Sequence, residues 1–154
     1  MSGNFRIDIL SGDELYQRVR TERSNRDLFA EREIAGSHKK ARRLHYLSSS
    51  EYHKQVNVTV SLGSRIVAIG GIQTNPSDTR MLWVCHVSVE EKHQGKGLAR
   101  MVIEAIYAYA VAQGQVVSPS AFSALGQRLK PIFVRLNQQF PAACSGEEFR
   151  DHLC

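Results

Sequence analysis

A chain of 154 residues, 42% hydrophobic and 23% charged, has the size and composition of one folded domain. That excludes a disordered chain and argues against a two-domain enzyme. Lys and Arg number 20 against 15 Asp and Glu, and the resulting +5 favours an anionic partner: nucleic acid, a membrane surface or a phosphorylated small molecule. Three scattered cysteines, Cys85, Cys144 and Cys154, make no disulfide framework and point to a reducing, cytoplasmic location. No long apolar stretch precedes Asp8, so no export signal is expected. The run Met101 to Ala112 contains Glu104 and is shorter than the roughly 20 residues that span a bilayer, so no membrane partner is expected.

The segment Phe5 to Leu10 alternates apolar and polar residues, the period of a half-buried strand. Ser11-Gly12-Asp13 breaks it, and Asp13 is placed to cap a helix running to about Arg20. A second helix is predicted over Asn25 to Ile34, with Gly36 as its stop. The basic run Lys39, Lys40, Arg42 and Arg43 follows and reads either as a solvated helix face or as an electrostatic rim. Gln55 to Val60 alternates, Gly63-Ser64 supplies a turn, and Arg65 to Ile72 is a β-branched run. Asn75 to Asp78 is a second turn, and Met81 to Val89 a third strand, so these three strands should pair antiparallel. The period then becomes helical, with Leu98, Val102, Ile106 and Tyr109 on one stripe ending at Gly114. Gln115 to Ser118 is a short strand before Pro119, and a strand–helix–strand crossover makes that last pair parallel. Leu125, Leu129, Ile132, Phe133 and Leu136 mark a final helix that Pro131 should kink or split. The fold class is α+β: one domain over residues 1–154, with a central mixed sheet (an antiparallel meander plus a parallel strand pair) flanked by helices.

The chemistry is concentrated where the third meander strand meets the long helix, in the stretch Val87 to Arg100. A glycine-bearing loop that opens into a helix presents unpaired main-chain N–H groups, and the helix dipole adds positive potential there. Gly95, Gly97 and Ala99 let a bulky anion approach the main chain, while Lys96 and Arg100 add charge, which is the chemistry of a pyrophosphate cradle. The loop is not a P-loop, because Lys96 is followed by Gly97-Leu98. It is not a dinucleotide fingerprint either, because Arg100 stands where a third glycine is needed. On this spacing alone an ordinary tight helix entry is an equal reading.

Gln94-Gly95-Lys96-Gly97-Leu98-Ala99, with Val89 five residues upstream at the end of an apolar strand, resembles the Gln/Arg-x-x-Gly-x-Gly/Ala motif of the GNAT family of N-acetyltransferases. The order of the predicted elements resembles that family as well. The resemblance implies a GNAT-like sheet whose parallel strand pair splays apart, with acetyl-coenzyme A as acyl donor. It implies that the main chains of Gln94, Gly95, Lys96, Gly97, Leu98 and Ala99 hold the pyrophosphate, with Arg100 alongside. It also implies that Val87, Ser88 and Val89 form the strand edge along which the pantetheine lies, a main-chain N–H directing the acetyl carbonyl. The acceptor is then a primary amine of a small molecule or of a protein, chosen by the region from about Asp13 to Glu51.

One departure from the family pattern matters. Ser118, Ala121 and Leu125 stand where many members carry Asn, a small residue and the Tyr that protonates the leaving thiolate. Ser118 is therefore the candidate acid, with Ser120, Ser123 or water as substitutes. His86 is the candidate base, set against a structural strand histidine. Strict alternation puts Cys85 and His86 on opposite faces; Cys85 reads by default as a buried small hydrophobe. Trp83 reads as core or acceptor-site wall, Glu90 and Glu91 as solvated, and Tyr107 and Tyr109 as packing. The histidines and cysteines show no metal-ligand spacing, so no metal is expected. The missing Tyr also motivates a second function, a silent coenzyme A-binding module. A nucleic-acid-binding protein led by the Lys39 to Arg43 patch is a third reading, disfavoured because few aromatics are interleaved there.

Overall fold

In a computed structural model, which describes residues 4–21, 56–119 and 126–144, the period-2 segments become adjacent strands of one sheet. Strands β1 (Phe5–Ser11), β2 (Val56–Leu62), β3 (Arg65–Asn75), β4 (Asp78–Val89) and β5 (Val116–Pro119) lie in chain order. The first four pair antiparallel, and β5 joins β4 in parallel, as the crossover requires. The predicted turns are present but tighter, so the β3–β4 hairpin is longer than the hydrophobic runs alone suggest. Gly63 takes a positive φ of 63° between β2 and β3, and the Asn75 side chain accepts the Ser77 N–H at 2.8 Å between β3 and β4.

Helix α1 (Gly12–Thr21) is capped by Ser11, not by Asp13. The Ser11 hydroxyl accepts the Glu14 N–H at 3.1 Å, while the Glu14 carboxylate accepts the Ser11 N–H at 3.0 Å. Both orphan donors are met at once in this capping box, and these bonds hold the Glu14 carboxyl below its ordinary range. Leu15 and Val19, four apart, close over Leu10, Ile66 and Ile69 on one face of the sheet. Arg18 on α1 and Arg6 on β1 both pair with Asp8 at 2.9 Å.

The other face is covered by α2 (Leu98–Gln113), whose stripe of Leu98, Val102, Ile106 and Tyr107 packs on Val58, Val60, Ala68, Ile72, Leu82, Val84 and Val117. Gly114 ends α2 in the left-handed region, at φ 68°. Tyr107 is fully buried; its hydroxyl donates to the Asn137 side-chain oxygen at 2.8 Å, and burial raises its pKa. Its role is packing, as the sequence indicates. Pro131 neither kinks nor interrupts a helix: a single 3-10 turn (Gly126–Leu129) precedes α3 (Lys130–Gln139), and the proline lies in the first turn of α3, where a missing N–H costs nothing. The predicted helix over 25–34 and the basic run at 39–43 lie outside the described residues. Among the described residues, no helix is long and apolar enough to cross a membrane.

Close contact between α2 and β3 depends on Gly70. A Cβ built there would lie 2.5 Å from Val102 Cγ1 and 3.2 Å from Ile106 Cδ1. Val102 is β-branched and its χ1 is stiff, so it yields only by moving the helix. Gly70→Ala is expected to lower stability by about 1–3 kcal/mol, an overpacking cost. Urea unfolding of the two proteins measures it, and equal midpoints would show that α2 is free to shift.

Candidate active site

The candidate site lies on β4, next to its parallel pairing with β5. β5 follows β4 from Met81↔Val116 to Val84↔Pro119, and there the described pairing ends. At the same level, β4 carries a bulge: Val84 stands opposite Ile72 and His86 opposite Gly71, so Cys85 is the extra residue. A bulge bends its strand and strengthens the local twist. It also corrects the strict alternation read from the sequence. Val84 packs under α2, while Gly71 belongs to the opposite face, so Cys85 and His86 fall on the same face, away from α2. Trp83 and Ser118 are register partners on that face too. The structure thus brings His86 and Ser118 to one side of the sheet, on the neighbouring strands β4 and β5.

Beyond the bulge, alternate main-chain groups of β4 are directed away from β3. The Glu90 N–H donates to the Val67 carbonyl at 2.8 Å, which makes 67/90, 69/88 and 71/86 the hydrogen-bonded pairs of the β3–β4 ladder. Val87 and Val89 therefore point their N–H and C=O groups to the other edge, while their side chains pack against the core under α2. The Gln94 side chain donates to the Val89 carbonyl at 3.2 Å, tying the loop to the end of the strand. Ser88 is half-buried between them, its own main chain taken up by β3.

From Glu90 the chain makes one 3-10 turn, Glu91–His93, and then the glycine loop. Gly95 and Gly97 both take positive φ, 81° and 79°, a conformation nearly closed to residues with a Cβ. Gly97 is the N-cap of α2 and offers no side-chain cap; the first intrahelical bond is Met101 N–H to the Gly97 carbonyl at 3.1 Å. The N–H groups of Leu98, Ala99 and Arg100 are left at an open helix mouth, the kind of place where main-chain donors and the helix dipole suit an anion. A Cβ at Gly95 or Gly97 would meet no protein atom within 4 Å, so the space in front of the loop is open. Gln94, Gly95, Lys96, Gly97 and Arg100 are all exposed around it. These features fit a pyrophosphate at the loop and an extended arm along β4.

Two charged residues depart from the sequence reading. Glu90 is not solvated: its side chain is 3% exposed and paired with Arg65, whose Nε lies 3.1 Å from Oε2 and whose terminal nitrogen also bonds the carboxylate; Lys92 is 3.7 Å away. Only Glu91 is exposed. Lys96 directs its ammonium at Nδ1 of the buried His93, 3.2 Å away. The sequence reading missed His93 and Arg65. His93 was legible only as a residue at the motif's edge, and Arg65 lies 25 residues from its partner. The stretch 120–125, with the Leu125 departure, lies outside the described residues.

Comparison with known proteins agrees with this geometry. Residues 15–119 match the model of the acetyltransferase (GNAT) family, and the chain belongs to that family. No curated protein matches the sequence. Among solved structures, an aminoglycoside acetyltransferase from an uncultured soil metagenomic sample is 16% identical with a TM-score of 0.58, over 98% of this chain and 97% of that one. A diaminobutyrate acetyltransferase from Paenibacillus lautus, solved with its substrate and coenzyme A, is 12% identical with a TM-score of 0.57, over 90% and 77%. A ribosomal-protein-alanine N-acetyltransferase from Brucella melitensis is 14% identical with a TM-score of 0.54, over 98% of each chain. At these identities the likeness is one of fold.

Proposed function

We propose that this chain, as one domain over residues 1–154, transfers an acetyl group from acetyl-coenzyme A to a primary amine, and that the gap between β4 and β5 is where it does so. The observation that supports this reading is the conjunction, along one strand, of the bulge at Cys85, the main chain of Val87 and Val89 turned away from β3, and the open mouth of α2. In the bound state the donor supplies an activated acyl group. The main chain from Gln94 to Arg100 holds the pyrophosphate, and Val87 and Val89 hold the pantetheine as an added strand would. A main-chain N–H of β4 near the bulge polarises the acetyl carbonyl. His86 is the residue assigned to accept the amine's proton, and Ser118 the residue assigned to return one to the departing sulfur. Cytoplasmic placement goes with this reading, since the donor and thiol-form cysteines share that compartment.

The acceptor is an amine on a small molecule or a protein. Family neighbours of both kinds exist, and nothing in the described residues selects between them. Calorimetric melting tests the donor. Acetyl-coenzyme A at about a hundred times its dissociation constant should stabilise the protein by about 2.7 kcal/mol, on the order of 5–10 °C in Tm. No shift at such excess overturns the reading. Mass spectrometry of lysate components after incubation with the donor then identifies the acetylated amine. Stabilisation without acetylation of any amine would instead favour the silent binding module, the second reading, which the absent family tyrosine motivates.

A further inference from the structure

We propose that His93 positions Lys96 and thereby couples protonation beside the loop to its grip on the donor's pyrophosphate. This step rests on Gln94–Arg100 being the cradle. An ammonium group has only donors, so a 3.2 Å contact between Lys96 Nζ and His93 Nδ1 fixes Nδ1 as an acceptor. The imidazole, 8% exposed, is thus held neutral on that side. Its charged surroundings come from three elements: Glu90 and Lys92 beside its own 3-10 turn, Lys96 from the glycine loop, and Arg65 from the start of β3. Burial first, then Lys96, hold its pKa below the ordinary histidine range, and Lys92 and Arg65 push the same way. Glu90 alone pulls upward, and its carboxylate is already engaged by Arg65 and Lys92.

In the neutral state, Lys96 spends its ammonium on the imidazole rather than on the open mouth of α2. An imidazolium cannot accept that bond and repels the ammonium, so protonation of His93 releases Lys96 toward the pyrophosphate. The pyrophosphate in turn stabilises the added positive charge. Proton and donor therefore bind cooperatively, and by linkage each raises the affinity of the other. Affinity must rise as pH falls through the His93 window, which lies at and below the ordinary histidine value of about 6.5.

Dephospho-coenzyme A is the suitable probe, because it keeps the pyrophosphate and lacks the phosphate monoester that titrates near pH 6. Isothermal calorimetry should find it bound about fivefold more tightly near pH 5.5 than near pH 7.5, the size of one half-exposed charge contact. His93→Gln should bind equally at both values. Lys96→Gln, at an exposed position where folding is not at stake, should lose more affinity at the lower pH than at the higher. In NMR, the His93 ring signal should titrate at higher pH once the probe is bound. A wild-type affinity that does not change with pH, or a Lys96→Gln loss that is the same at both, overturns the coupling while leaving the cradle in place. Absence of binding at every pH in all three proteins overturns the cradle itself, and the coupling with it.

Discussion

Placing an asparagine at Gly97 is expected to weaken coenzyme A binding by about a hundredfold while leaving the protein folded, and with it to remove most of the thermal stabilisation by acetyl-coenzyme A. The choice of asparagine separates two roles of this glycine. At φ 79° any Cβ is strained, but asparagine tolerates the left-handed region better than other residues, so the folding cost stays on the order of 1 kcal/mol. No protein atom lies within 4 Å of a Cβ built there, so the added side chain displaces nothing in the unliganded chain. It occupies the space in front of the Leu98, Ala99 and Arg100 N–H groups, where the pyrophosphate is placed. Gly97→Val adds the β-branch penalty and should combine the same binding loss with a lower Tm. The measurement is calorimetric titration with coenzyme A beside a melt without ligand. Wild-type affinity in Gly97→Asn would mean that the pyrophosphate does not sit at this helix mouth.

How far the sequence led can be followed at particular residues. Local patterns were decisive where the cause is local. The alternation at 56–60, the helical stripe from Leu98 and the stop at Gly114 each depend on residues within one turn or one strand, and each element lies where the pattern puts it. The helix cap was also local, in Ser11-x-x-Glu14, but Asp13 competes for the same role and only the hydrogen bonds decide. The bulge at Cys85 has no such signature. It arises in the antiparallel register of β3 and β4, where Ile72 faces Val84 but Gly71 faces His86. It is nevertheless the feature that sets His86 on the same face as Cys85. The glycine motif made the positive-φ loop legible because an unusual backbone demands an unusual residue. The support beneath it was not legible, because Arg65 and Glu90 meet only once β3 and β4 have paired.

That support carries the second large effect. Glu90→Ala is expected to lower stability by about 3 kcal/mol, a drop in Tm on the order of 6–12 °C. The carboxylate is 3% exposed and accepts bonds from two nitrogens of Arg65, whose side chain is itself only 19% exposed. Removing the carboxylate takes two charge-assisted bonds from a largely desolvated guanidinium, which costs far more than the pair contributes against an apolar substitute. The double replacement Arg65→Met with Glu90→Leu should therefore recover most of the loss, which a simple count of ion pairs would not anticipate. Function should separate from stability in the same variants. Glu90 lies between β4 and the 3-10 turn, and its main-chain N–H bond to Val67 does not depend on the side chain, so in Glu90→Ala the strand edge at Val87 and Val89 stays in register. What loosens is the turn carrying His93 and Gln94. The variants should show a raised KM for acetyl-coenzyme A with kcat retained if the loop, as proposed, binds the donor away from the reacting carbonyl. Urea unfolding and donor titration check both halves. A Glu90→Ala protein within 0.5 kcal/mol of wild type would show that the pair holds nothing in place, whereas a fall in kcat at unchanged KM would move Glu90 from the loop's foundation to the chemistry itself.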